Sequence, residues 1–224
     1  MKTLLMRNLK LSRFSLITYL VVVVAALYYQ LGGIEFQNME IIAPFASIIL
    51  FVIIVMDTGH AFRIQRKLGG DYVHYFVDSL PVSKLQQLNA HYATIIILTL
   101  AGVIAITTAD YAHVSVNLGA LGMEAPVLYA VTNLMTVALV FTTTTEKRMR
   151  RINQVTMFFT FFIIVPMGIF VATVLGYKFM TGYYGIISNY DVIVSTSYVS
   201  MSVIAFIARY FYEYRKISKT RGVS

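Results

Sequence analysis

The chain has 224 residues, of which 58% are apolar and only 12% charged, with a net charge of +8 and no cysteine. So few charges leave too little polar surface to coat a bundle of this size in water, which excludes an ordinary soluble domain. The absence of cysteine excludes disulfides, thiol catalysis and thiolate metal ligation.

Residues 1–13 set Leu4, Leu5, Leu9 and Leu11 against Lys2, Arg7, Lys10 and Arg13, the pattern of a short helix in a membrane interface. Six apolar runs follow: Phe14 to Leu31, Ile41 to Phe62, His91 to Thr108, Met123 to Thr144, Val155 to Gly176 and Asp191 to Arg209. As helices of roughly 18 to 22 residues they are about 27 to 33 Å long, matching a hydrocarbon core of about 30 Å. They predict an all-α polytopic membrane protein with six transmembrane helices, a single transmembrane domain over residues 1–224. The first run is long, starts late and precedes five others, so it reads as a retained helix and not as a cleaved signal.

With the N-terminus inside, every Lys and Arg except Lys178 falls on the inner side, and Glu35, Glu40, Asp110, Glu124 and Asp191 fall outside. Basic residues in short loops resist translocation, so both termini are expected in the cytoplasm. The positive charge then reports topology. A nucleic-acid partner is not expected, because that would need basic residues interleaved with aromatics on a soluble face.

In the second run Asp57 is the ionisable group furthest inside a predicted span. A charge in hydrocarbon costs at least about 3 kcal/mol, so Asp57 lies near the inner boundary, pairs with Arg63 or His60, or lines a polar path. Its closeness to the inner end favours the first two. The loop from Arg63 to Ala90 is the longest connection. There Gly69-Gly70 signals a turn, Asp71 suits an N-cap, and Tyr72, Tyr75, Phe76 and Leu80 fall at helical spacing before Pro81, which predicts a cytoplasmic helix ending near Ser79. Ser83 is placed to cap the next helix, which would run through Lys84, Gln87 and His91 into the third span.

No G-x-x-x-x-G-K-[ST], H-E-x-x-H or G-x-S-x-G motif occurs, and His60, His74, His91 and His113 are scattered. Neither an enzyme nor a metal site is expected. A proton-coupled transporter would carry several buried ionisable groups and broken spans, an inventory not visible in the sequence. The spans hold mostly hydroxyls: Thr132, Asn133 and Thr136, then Thr142 to Thr145, Thr156 and Thr160, and Ser195, Thr196, Ser197, Ser200 and Ser202. These serve helix packing or line a weakly polar cavity. Pro166 predicts a kink in the fifth run, and Gly168, Ala172 and Gly176 form a ladder of small residues open to close helix contact.

The stretch Asp78-Ser79-Leu80-Pro81-Val82-Ser83-Lys84, between the second and third of six runs, together with the layout of the whole chain, resembles small bacterial type-2 ATP-binding cassette exporter permeases. In size it is similar to those that export amphipathic peptides, such as the phenol-soluble modulin exporters. The resemblance implies a permease of the bacterial cytoplasmic membrane that pairs with a second permease, identical or homologous, and binds separate ATPase subunits. Those subunits hold ATP and Mg, and this chain holds no cofactor. It further implies an ATPase-coupling element made of Asp71, Tyr72, Tyr75, Phe76, Leu80, Pro81, Val82, Ser83 and Lys84, with Glu146, Lys147 and Arg148 as a smaller contact. The ladder of Gly168, Ala172 and Gly176 is a candidate permease dimer interface, although it matches no motif of the family. Tyr19, Thr132, Thr136 and Ser200 are candidates for the translocation path of an amphipathic or hydrophobic cargo, peptide or lipid-like. The competing reading is a non-transporting immunity or assembly protein that binds a peptide and has no ATPase.

Overall fold

The computed structural model describes residues 1–31, 39–67, 79–111, 124–140, 156, 159–182 and 190–221. Among them the chain is helical throughout, with no strand: α1 (Lys2–Leu11), α2 (Arg13–Gln30), α3 (Met39–Asp57), α4 (His60–Lys67), α5 (Lys84–Tyr111), α6 (Ala125–Val140), a π-helical turn (Thr160–Ile164) that runs into α7 (Val165–Thr181), and α8 (Tyr190–Arg221).

Three helices are long and apolar enough to cross a membrane: α2, α5 over Lys84–Asp110, and α8 over Val192–Lys219. The other apolar stretches, Pro44–Val55, Ala125–Ala138 and Val165–Thr181, are shorter. The chain therefore has the character of a membrane protein, but six full-length spans are not present among the described helices. Large apolar side chains such as Phe14, Leu20 and Val24 on α2 and Ile204, Ile207 and Phe211 on α8 face outward, as they would toward lipid.

The centre of the bundle is α5. Half of its apolar window is buried, against 17% for α2 and for α8. It packs on α1, α2, α4, α6 and α8. Its start follows from Ser83, whose Oγ accepts the Gln86 N–H at 3.2 Å as the sequence predicts for an N-cap. The expected interfacial segment forms α1, and it also packs inward. Leu4 and Asn8 are buried, and Asn8 Nδ2 lies 3.4 Å from Thr94 Oγ1 of α5.

Two of the predicted spans depart from straight helices. The run from Ile41 to Phe62 is cut: α3 ends at Asp57, Gly59 takes φ +87°, and α4 starts at His60. Positive φ at that value suits glycine because it has no Cβ to clash. The long loop is correspondingly shorter than expected, since α4 continues to Lys67 and α5 begins at Lys84.

Where the sequence predicts a kink, before Pro166, the helix contains the π turn. Within it Val165 N–H reaches back five residues to the Thr160 carbonyl. The next carbonyl in that register, that of Phe161, faces Pro166, which has no N–H to give. It is satisfied from α8 instead, by the fully buried Tyr198 hydroxyl at 2.7 Å. Tyr198→Phe should therefore lower stability by about 1 to 3 kcal/mol, the cost of a buried acceptor left alone. The midpoint of thermal unfolding in detergent measures this; an unchanged midpoint would show that Phe161 finds another donor.

Candidate functional site

The break after α3 is where the polar side chains of the bundle gather. Asp57 and His60 flank it. From α2 come Ser15 and Tyr19, four residues apart and so on one face, and from α6 come Tyr129 and Asn133 at the same spacing. All of these residues are buried.

Ser15 Oγ donates to Asp57 Oδ1 at 2.6 Å. The Tyr19 hydroxyl donates to Asp57 Oδ2, and the Tyr129 hydroxyl lies 3.2 Å from that same oxygen. The two tyrosine oxygens are 2.5 Å apart. His60 Nε2 stands 2.9 Å from the Tyr129 hydroxyl and 3.9 Å from Asp57 Oδ2. One directional chain satisfies these distances: His60 Nε2–H donates to Tyr129, Tyr129 to Tyr19, and Tyr19 to the carboxylate, so each hydroxyl donates once and accepts once. The reverse tautomer of His60 accepts from Tyr129.

Asn133 holds the break itself. Its Oδ1 accepts the backbone N–H of Gly59 at 2.9 Å and of His60 at 3.3 Å, while its Nδ2 donates to the Tyr129 carbonyl at 3.0 Å. A helix end leaves its first N–H groups without partners, and here a side chain of another helix serves as the cap. Thr58 closes α3 from the other side, its Oγ1 donating to the Ile54 carbonyl at 2.6 Å.

Room for the Tyr129 ring comes from α5. A Cβ at Gly102 would stand 2.5 Å from Tyr129 Cε1 and 2.6 Å from its hydroxyl, so only glycine fits there with the ring in place. Chemically, the cluster gives a carboxylate its hydroxyl donors inside an apolar bundle and links it to an imidazole through two phenols, a path along which a proton can pass. Among the described residues no group of three or more His, Asp or Glu could hold a metal ion.

Of the alternatives open to Asp57, the approach to His60 is present, and the wider hydroxyl network and the broken helix are features the sequence reading did not include. The side chain of Arg63 lies outside the described residues. Tyr19, a translocation-path candidate, belongs to this cluster. Thr132 and Thr136 are fully buried and bond the carbonyls of Leu128 and Thr132 at 2.7 and 2.6 Å, whereas Ser200 is exposed, so the four share no exposed wall. Gly168, Ala172 and Gly176 are exposed on α7, and a Cβ at Gly168 or Gly176 would meet nothing within 4 Å. Leu80, Pro81 and Val82 form a turn closed by Val82 N–H to the Leu80 carbonyl at 2.8 Å, leading through Ser83 to the exposed Lys84. Asp71, Tyr72, Tyr75, Phe76, Glu146, Lys147 and Arg148, and with them the predicted helix before Ser79, lie outside the described residues. Sequence reasoning missed Ser15, Gly102 and Tyr129 as partners of the site. The paired four-residue spacings of Ser15 with Tyr19 and Tyr129 with Asn133 were the available signal.

No family model, curated protein or solved structure matches the chain.

Proposed function

We propose that the chain is the membrane-embedded permease of an exporter whose ATPase is a separate subunit, and that it moves an amphipathic or hydrophobic cargo by alternating access. The observation that carries this reading is the route from the Leu80 to Ser83 turn into the bundle. The turn caps α5 directly, and α5 is the helix that touches α1, α2, α4, α6 and α8. A push on the turn is thereby passed to most of the bundle at once. The family resemblance of the same residues supplies the ATPase as the source of that push.

On this reading all six apolar runs cross the bilayer, with both termini in the cytoplasm. Two of the three shorter stretches gain length on this reading: the π turn continues into α7 without interruption, and the second run would cross as the jointed pair α3 and α4. The interrupted second run and the buried Asp57 and His60 belong to the inventory expected of a proton-coupled transporter, and they carry no weight for an ATP-driven one. Two permeases would meet to enclose the path, with the open ladder on α7 as one meeting surface.

Replacing Tyr75 and Phe76 with alanine is expected to abolish co-purification of the ATPase while the chain still inserts into membranes. Co-purification at the wild-type level would remove the docking role from this loop.

A further inference from the structure

A cavity of about 490 Å³ lies between α5, α6 and α8, and none of its lining residues belongs to the Asp57 cluster. Its wall is mainly aliphatic, with Val103 from α5, Val127, Val131 and Leu134 from α6, and Val199 from α8, and it includes the hydroxyl residues Thr107 and Ser202. At one end stand Asp110, near the end of α5, and Glu124, immediately before α6. Both are exposed, and neither carboxylate has an ion pair or hydrogen bond among the described residues.

The dimensions follow from helix geometry. Val103 lies about 10 Å along α5 from Asp110, and Leu134 about 15 Å along α6 from Glu124. The cavity is thus a half-open groove, acidic at one end and mainly apolar along its remaining length of about 10 to 15 Å. In a chain of net charge +8, the two charged side chains lining this space among the described residues are both acidic. An anionic amphiphile would be repelled at the acidic end. A neutral chain would fill the groove and leave the carboxylates unused. Only a cation with an apolar body uses both features.

We propose that this cavity binds an organic ammonium ion with a hydrocarbon body, the cation at Asp110 and Glu124 and the body between α5, α6 and α8. Its role as a cargo subsite rests on the export reading, in whose topology the acidic end faces outward; the binding itself does not.

The test uses the full chain in nanodiscs of phosphatidylcholine, with radiolabelled decyltrimethylammonium measured by equilibrium dialysis against empty nanodiscs. Saturable binding is expected, weakened at least tenfold by the combined Asp110→Asn and Glu124→Gln changes and by Ala130→Phe, which fills the groove and leaves the carboxylates intact. Decanol should not displace the radiolabelled cation at a concentration at which unlabelled cation does. No saturable binding, wild-type affinity in these variants while they elute as monodisperse species, or displacement by decanol as efficient as by unlabelled cation would each overturn the proposal, the last identifying a groove for lipid tails. Cation binding without any ATPase partner would remove the export reading alone. ATPase association without cation binding would remove this site alone.

Discussion

Asp57→Ala is expected to lower stability by about 3 to 5 kcal/mol, the largest loss from any single substitution considered for this chain. The carboxylate accepts from Ser15 and Tyr19 and anchors the relay through Tyr129 to His60. Removing it leaves buried hydroxyls without their acceptor, and alanine leaves most of the space empty. Asp57→Asn keeps the shape and one acceptor oxygen, so its loss should be markedly smaller. Unfolding in mixed detergent micelles gives both values. A loss below about 1 kcal/mol for Asp57→Ala would mean that the hydroxyls re-pair among themselves and that the carboxylate does not organise the cluster.

Gly102→Ala should cost about 2 to 4 kcal/mol, combining overpacking with lost Tyr129 hydrogen bonds. Propensity alone gives the opposite sign, since alanine in a helix interior is favoured over glycine by about 1 kcal/mol. The added methyl group would occupy the space of the Tyr129 ring, which is tied to Tyr19 and His60 and cannot swing aside freely. Gly168→Ala on α7 is the matched control, because nothing lies within 4 Å of its missing Cβ. That change should stabilise the isolated chain by up to about 1 kcal/mol. Equal effects at the two glycines would show that Tyr129 does not lean on α5.

How much of this was legible in the sequence depends on the range of the interaction. The membrane character and the helices α2, α5 and α8 follow from length and hydropathy, which are local. The start of α5 was equally readable, because Ser83 and the Gln86 amide it caps are three residues apart. The cut in the second run was not, since Thr58 and Gly59 sit inside an apolar stretch that hydropathy treats as continuous. What breaks the helix there is Asn133, 74 residues away from Gly59. Likewise the sequence around Asp57 offered a boundary position or a partner in Arg63 or His60, and of those partners only His60, three residues on, could be read locally. The rest of the surroundings of Asp57 includes Ser15, 42 residues earlier, and Tyr129, 72 residues later. Pro166 announced a distortion, but the identity of the helix that repairs it, through Tyr198, is again a matter of tertiary packing.

A straight helix carries torque from one end to the other, and a helix cut at Gly59 does not. Asn133 holds the amides of Gly59 and His60 and so ties the start of α4 to α6, while α3 meets α6 through the Asp57 carboxylate and Tyr129. The second hydrophobic run is therefore a knuckle and not a strut, with Thr58 and Gly59 as its joint.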